Sequence, residues 1–301
     1  MGEKGNMDEN RILLVGNGIN DAQKISWNDM LNFIQDKLIA EGKIKEKEKI
    51  VAGQTSVSPT LLFDSLCKKN DVNEEILREL VKDYVEDKSN FVKKLWGLYD
   101  IILTTNFDAN LIVNIKGDER KDLTSNSSPL YRYITFNYKN APKKLYFLHG
   151  YYQSPETICL GMNQYTENLQ KIKSHVQNFY PLMADESEKT ATGKKSKTAW
   201  VSYFFKENTS IDILGLNLCA EEMDLWWLLN HRNRYFQNNS TNVVRYFDLK
   251  EGVSETDNKR LADRKNLMQS FGVRIEEIEK TQTYNSDFYS LCLKRIRDLY
   301  T

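Results

Sequence analysis

The chain has 301 residues, with 42 Lys and Arg against 42 Asp and Glu for a formal net charge of zero; 40% of it is hydrophobic and 28% charged. That is long enough to bury a sizeable core without covalent staples and too apolar for a disordered chain. The balanced charge argues against broad electrostatic capture of nucleic acid, leaving a local patch or a partner as the route to any DNA or RNA.

Residues 1–10 are polar and read as a mobile arm; 11–301 are expected to form a single α/β domain. Arg11 to Val15 is a short, nearly all-apolar run, as in a parallel strand covered on both faces, and it ends at Gly16-Asn17-Gly18-Ile19-Asn20. A helix is predicted from Ser26, which can cap it, because Trp27, Met30, Leu31, Ile34 and Leu38 recur at helical spacing. From about Ile44 to Leu98 the apolar pattern stays helical and predicts a helical insertion. Asp100 to Thr104 reads as the second core strand, followed by Thr105-Asn106-Phe107-Asp108. Residues 116–129 are polar and predict a surface loop. Strands are expected over Tyr131 to Phe136 and Lys144 to Leu148, the second running into His149-Gly150.

Met162 to Tyr180 has the spacing of an amphipathic helix, and Ala184 to Thr198, with Lys189, Lys194, Lys195 and Lys197, that of a solvated loop. Within it Gly193-Lys194-Lys195-Ser196 lacks the upstream glycine of a P-loop. The last third alternates: strand Ile211 to Leu216, helix Glu221 to Phe236, strand Asn242 to Phe247, helix Asn258 to Phe271, short strand Val273 to Ile275, helix Ser286 to Leu299. Such alternation predicts a doubly wound, mostly parallel Rossmann-like sheet with helices on both faces. Cys67, Cys159, Cys219 and Cys292 form no C-x-x-C pair, which points to free thiols in a reducing compartment. Neither a leader nor a membrane-length apolar run is visible, so a cytoplasmic location is expected, with no membrane partner.

The polar signatures all follow strands, and the carboxyl edge of an open α/β sheet is where ligands bind. Gly16 and Gly18 permit a tight turn and close approach of a pyrophosphate, although the third glycine of G-x-G-x-x-G is replaced by Asp21. Asn106 can hold a water or a ribose hydroxyl, and Asp108 can orient it or form an Asx turn. His149 titrates near neutral pH and suits proton transfer at a pocket rim. Gly215-Leu216-Asn217 would add a fourth strand end. His175 and His231 read as surface residues, and Trp226-Trp227 as a packing or subunit contact.

In order and type, G-N-G-I-N, T-T-N-F-D, L-H-G and G-L-N resemble the signatures of the sirtuin-like domain family, over residues from about 11 to 250. More particularly they are similar to the bacterial sirtuin-like NAD-cleaving domains of antiphage defence, in which a Trp near the first helix, here Trp27, and a helical insertion are common. The paired cysteines that hold zinc in the protein-deacylating members are absent, so no zinc is expected and water becomes the acceptor of the ADP-ribosyl group. The resemblance implies NAD as substrate, hydrolysed to nicotinamide and ADP-ribose, with no resident cofactor. It gives Asn106 and His149 the catalytic roles and assigns NAD contacts to Gly16, Asn17, Gly18, Ile19, Asn20, Thr105, Asp108, Gly215 and Asn217. It further implies a homo-oligomer and a complex with a HerA-type hexameric ATPase, nucleic acid being met only through that partner. The alternative expectation is a non-catalytic module that senses NAD or ADP-ribose. Asn17, Asn20 and Asn217 depart from the family's usual Ala, Ser and Ser.

Overall fold

The computed structural model describes residues 10–21, 27–52, 58–69, 73–84, 92–112, 121–122, 128–182, 199–218, 221–236, 242–279, 281, 283–284 and 286–300. Its centre is an eight-stranded sheet of β1 (Asn10–Val15), β2 (Ile101–Thr104), β3 (Lys121–Asp122), β4 (Tyr133–Tyr138), β5 (Ala141–Phe147), β6 (Thr209–Leu214), β7 (Val244–Leu249) and β8 (Val273–Ile278). The order across the sheet is β3-β4-β5-β2-β1-β6-β7-β8. The pairings from β5 to β8 are all parallel, and only the β3-β4-β5 edge is antiparallel. The antiparallel edge follows from local chemistry: Lys139 and Asn140 both take positive φ, 51° and 64°, in a two-residue turn that pairs Tyr138 with Ala141. Positive φ at both central positions matches the right-handed twist of a hairpin.

The fold is α/β, doubly wound and Rossmann-like. Helices α1 (Gly18–Asp21), α2 (Trp27–Ala40), α3 (Pro59–Lys69), α4 (Glu74–Tyr84) and α5 (Val92–Trp96) lie between β1 and β2 in the chain. They are followed by α6 (Met162–Phe179), α7 (Met223–Phe236), α8 (Glu255–Ser270) and α9 (Ser286–Tyr300). Alternation along β1 sorts the core. Leu13 and Val15 share one face of the sheet with Trp96 of α5 and with Phe288, Cys292 and Ile296 of α9. Ile12 and Leu14 face the other way, onto Ile172 and Val176 of α6 and Leu225 and Leu228 of α7. A third cluster joins α2, α3 and α4 through Leu31, Ile34, Phe63 and Leu77, and closes on Ile158 and Leu160. Fully burying each of these side chains is worth about 1.5–3 kcal/mol, so the helical layers on both faces hold the sheet between them.

Three expectations are corrected. The segment 116–129, read as loop, contributes the short edge strand β3, whose antiparallel pairing with β4 no local pattern announces. Strand β8 runs on to Ile278, because Arg274, Glu276 and Glu277 give an edge strand the charges that conceal its period. His175 and His231 are buried, not exposed. His175 packs on Phe179 at 4.7 Å between ring centroids, and the His231 ring stacks on Trp227 while its Nε2 lies 2.9 Å from the Tyr180 carbonyl oxygen. The aromatic cover over both comes from the segment around Tyr180 and Phe205. Residues 1–9 of the expected arm and the lysine-bearing stretch 189–197 lie outside the described residues. No helix among the described residues is long and apolar enough to cross a membrane.

Candidate functional site

Register decides where the strand ends fall. Val15 pairs with Thr104 and with Leu214, and Thr104 pairs with Phe147, so β5, β2, β1 and β6 stop level with one another. Backbone pairing continues one residue further: Thr105 donates its N–H to the Val15 carbonyl at 3.1 Å, Gly16 to Leu214 at 3.1 Å and Leu148 to Thr104 at 2.8 Å. Beyond that line His149-Gly150, Asn106, Gly16 to Ile19 and Gly215 to Asn217 emerge side by side along one edge. On one side of β1 lies β2, and on the other lies β6, from which the chain continues to β7 and β8. In open α/β sheets such a reversal of winding, at the carboxyl ends of the strands, is where ligands bind.

The glycines of the first loop serve a backbone contact. Gly18 donates its N–H to the Gly215 carbonyl oxygen at 2.7 Å. A Cβ at Gly16 would lie 2.6 Å from Leu216 Cδ1, and one at Gly18 would lie 2.7 Å from Gly215 O. Gly215 itself has φ +65°, and a side chain there would meet the Ile19 nitrogen at 2.7 Å. Ile19 is buried in the core beside Val15 and Leu214, and Asn17 is half-buried. Asn20 lies in α1, and its side chain is outside the described residues.

Asn106 is buried, with 4% of its surface exposed. Its backbone N–H donates to Thr104 Oγ1 at 3.0 Å and its Nδ2 donates to the Gly16 carbonyl at 3.3 Å, which ties the second strand end to the first. Its Oδ1 is buried and has no partner. Asp108 forms the Asx turn: Oδ1 accepts from the Asn110 N–H at 2.8 Å, and the chain turns through 109–112 without entering a helix. Between them Phe107 meets Trp27 of α2 edge-on at 6.1 Å.

His149 is buried at 2% exposure, and its Nε2 lies 3.0 Å from Asp224 Oδ2. The same oxygen accepts from Asn168 Nδ2 at 2.8 Å, and Asp224 Oδ1 accepts from the Leu225 N–H at 2.9 Å. Burial opposes charge on the imidazole, but the Asp224 carboxylate, its hydrogen bond and Glu222 outweigh it and hold His149 above its ordinary value of 6.5. Tyr165 of α6 closes the far side, its ring 5.0 Å from the imidazole and tilted 66°. Gly150 at φ +101° lets the chain leave, since a Cβ there would lie 2.3 Å from Thr157 O. Burial pushes the nearby Cys159 thiol up to about 12, so it is not poised as a nucleophile.

Asn217 is exposed, and its Oδ1 accepts from Arg264 at 2.7 Å. Arg264 of α8 also grips the buried Asp248 of β7 with two nitrogens, and Tyr284 donates to the same carboxylate. Sequence reading missed Asp224, Asn168 and Tyr165. An acidic residue in the first turn of a helix is ordinary chemistry for the helix dipole, so Asp224 carried no signal until the fold set it against His149. Tyr165 and Asn168 stand one turn apart on α6, a spacing any amphipathic helix shows.

Among the described residues no cluster of three His, Cys, Asp or Glu side chains could hold a metal ion. No protein-family model matches this chain, and no curated protein is similar enough to it to be counted a relative.

Proposed function

We propose that the chain hydrolyses NAD to nicotinamide and ADP-ribose at this edge. The observation that carries the reading is the Asn106 amide. Its nitrogen is occupied by the Gly16 carbonyl, and its buried Oδ1 points at no donor. A buried amide oxygen left without a partner is costly, about 1–3 kcal/mol, and a water or ribose hydroxyl would satisfy it. In that role Asn106 holds the attacking water. The bond from the anomeric carbon to the nicotinamide nitrogen breaks, nicotinamide leaves with the electron pair, and the water oxygen takes its place. The water proton passes to a base, for which His149 on the neighbouring strand end is suited. Developing positive charge on the ribose is met by a buried polar surface instead of bulk water.

Purified chain incubated with NAD is expected to release nicotinamide, and Asn106→Ala to slow that release by about 10²-fold or more. An Asn106→Ala protein that consumed NAD at the parent rate would overturn the assignment. The role in antiphage defence, a homo-oligomer and a HerA-type hexameric ATPase partner rest on the resemblance of the four signatures alone; light scattering of the chain with and without such an ATPase tests the assembly.

One observation favours a second reading, a module that senses NAD or ADP-ribose without turnover. The Gly18 amide already donates to Gly215, which removes a donor from the loop that would cradle a pyrophosphate. Saturable binding of NAD with no nicotinamide released would support it.

A further inference from the structure

We propose that Asp224 is the positioning residue of His149: by accepting the Nε2 proton it fixes the tautomer that leaves Nδ1 as the basic nitrogen, while Asn168 clamps the carboxylate. The rate effects below rest on the NAD-cleaving reading; the tautomer does not.

Three elements distant in the chain converge here. His149 leaves β5, Asn168 projects from α6 and Asp224 opens α7. Asp224 is 1% exposed, and a carboxylate so buried is tolerable only when its oxygens are used. Oδ2 receives both His149 Nε2, at 3.0 Å, and Asn168 Nδ2, at 2.8 Å, and Oδ1 receives the Leu225 amide. A residue needed only to start α7 would use the helix amide and leave Oδ2 to solvent. Instead Oδ2 is the oxygen withdrawn from water and spent on side chains of two other elements.

A carboxylate only accepts, so Nε2 carries the proton in this bond and the Nδ1 lone pair is left for chemistry. The ring is also held against rotation, since Tyr165 lies edge-on to it at 5.0 Å from the same helix that supplies Asn168. The charged and titratable groups around the imidazole are Asp224 and Glu222, which favour its protonated form, and Tyr165 and Cys159, which burial keeps neutral. Removing the Asp224 charge while keeping its shape therefore lowers the His149 titration midpoint.

The experiment is nitrogen-15 NMR of the histidine rings in the full chain. It has three histidines, so His175→Gln and His231→Gln variants assign the signals. In the parent, His149 is expected as the Nε2–H tautomer when neutral. In Asp224→Asn the midpoint should fall by about 1 to 3 pH units and the tautomer should become mixed. On NAD, the acid limb of the rate profile should move to lower pH in that variant while its plateau falls about 10²- to 10⁴-fold. Asn168→Ala, which leaves both ionisable partners in place, should move the midpoint the same way by less, and serves if Asp224→Asn does not fold. An unchanged tautomer and midpoint in the folded variant would overturn the proposal. A parent without NAD turnover whose His149 still responds to Asp224→Asn would sink the NAD reading and uphold the positioning role.

Discussion

Midway along β6, Asp212 is fully buried and fully engaged by side chains that reach it from the amino-terminal side of the sheet. Tyr99 and Tyr300 each donate to it at 2.7 Å, Arg245 donates at 3.3 Å, and the Arg11 guanidinium lies 3.8 Å over the Tyr300 ring. At the carboxyl ends the polar groups are buried just as deeply, yet Asn106 and Asn168 each keep an amide oxygen with no partner. A complete network rigidifies a core, whereas an acceptor left over in a buried place costs stability that only an incoming donor returns. The Asp212 network thus closes the fold, while Asn106 and Asn168 hold hydrogen-bonding capacity in reserve.

The largest test of that division is Asn106→Ala. It should abolish most NAD turnover while keeping unfolding free energy within about 2 kcal/mol of the parent, because losing the donor to Gly16 and removing the unpartnered Oδ1 oppose each other. Urea unfolding beside the nicotinamide assay checks both, and a large loss of stability would make Asn106 part of the scaffold. The mirror experiment is Asp212→Ala, which strands Arg245 and two phenols; breaking such a buried network costs about 3–5 kcal/mol. Turnover per folded molecule should be unaffected, and a folded, inactive Asp212→Ala protein would erase the distinction between the two regions.

Gly150→Ala comes next. It forces a side chain into φ +101° and against Thr157 O, and should cost about 1–3 kcal/mol in the strand-end loop that carries His149. Its melting temperature and turnover should fall together. The smallest effects are in pH dependence, where two buried histidines should act with opposite sign. His149 is held above 6.5, so its pair with Asp224 contributes in full below about 6.5 and the contribution fades as pH rises through the raised value. Burial holds His175 below 6.5, so as pH drops under that value the unfolded chain takes the proton first and stability is lost. Chemical unfolding from pH 5 to 8 should show His175→Phe flattening the acid side and His149→Gln flattening the neutral side.

The core strands were legible because β1, β2, β6 and the end of β5 are short apolar runs that two helical layers must cover, and each polar signature directly follows one. That adjacency along the chain also made Asn106 and His149 visible. Partners across the chain were not. Asp224 is 75 positions from His149, and nothing in a helix's first turn says which strand end it will meet. Periodicity misplaced His175, which sits beside Ile172 and Val176 on the flank of α6 and is covered by Phe179 and Tyr180 at the end of the same helix. The glycine loop was misleading in a different way. Glycine in sequence announces close approach but not of what, and here Gly16 and Gly18 approach the backbone of Gly215 and Leu216.

Four strands that stop level also set a length. Neighbouring strands lie about 4.8 Å apart, so the edge from the end of β5 to the end of β6 spans about 14 Å. A single-ring ligand lying there reaches His149 or Gly215 but never both. Under the NAD-cleaving reading proposed above, two joined nucleotides would supply that reach, so the level strand ends would select by length before any side chain selects by chemistry.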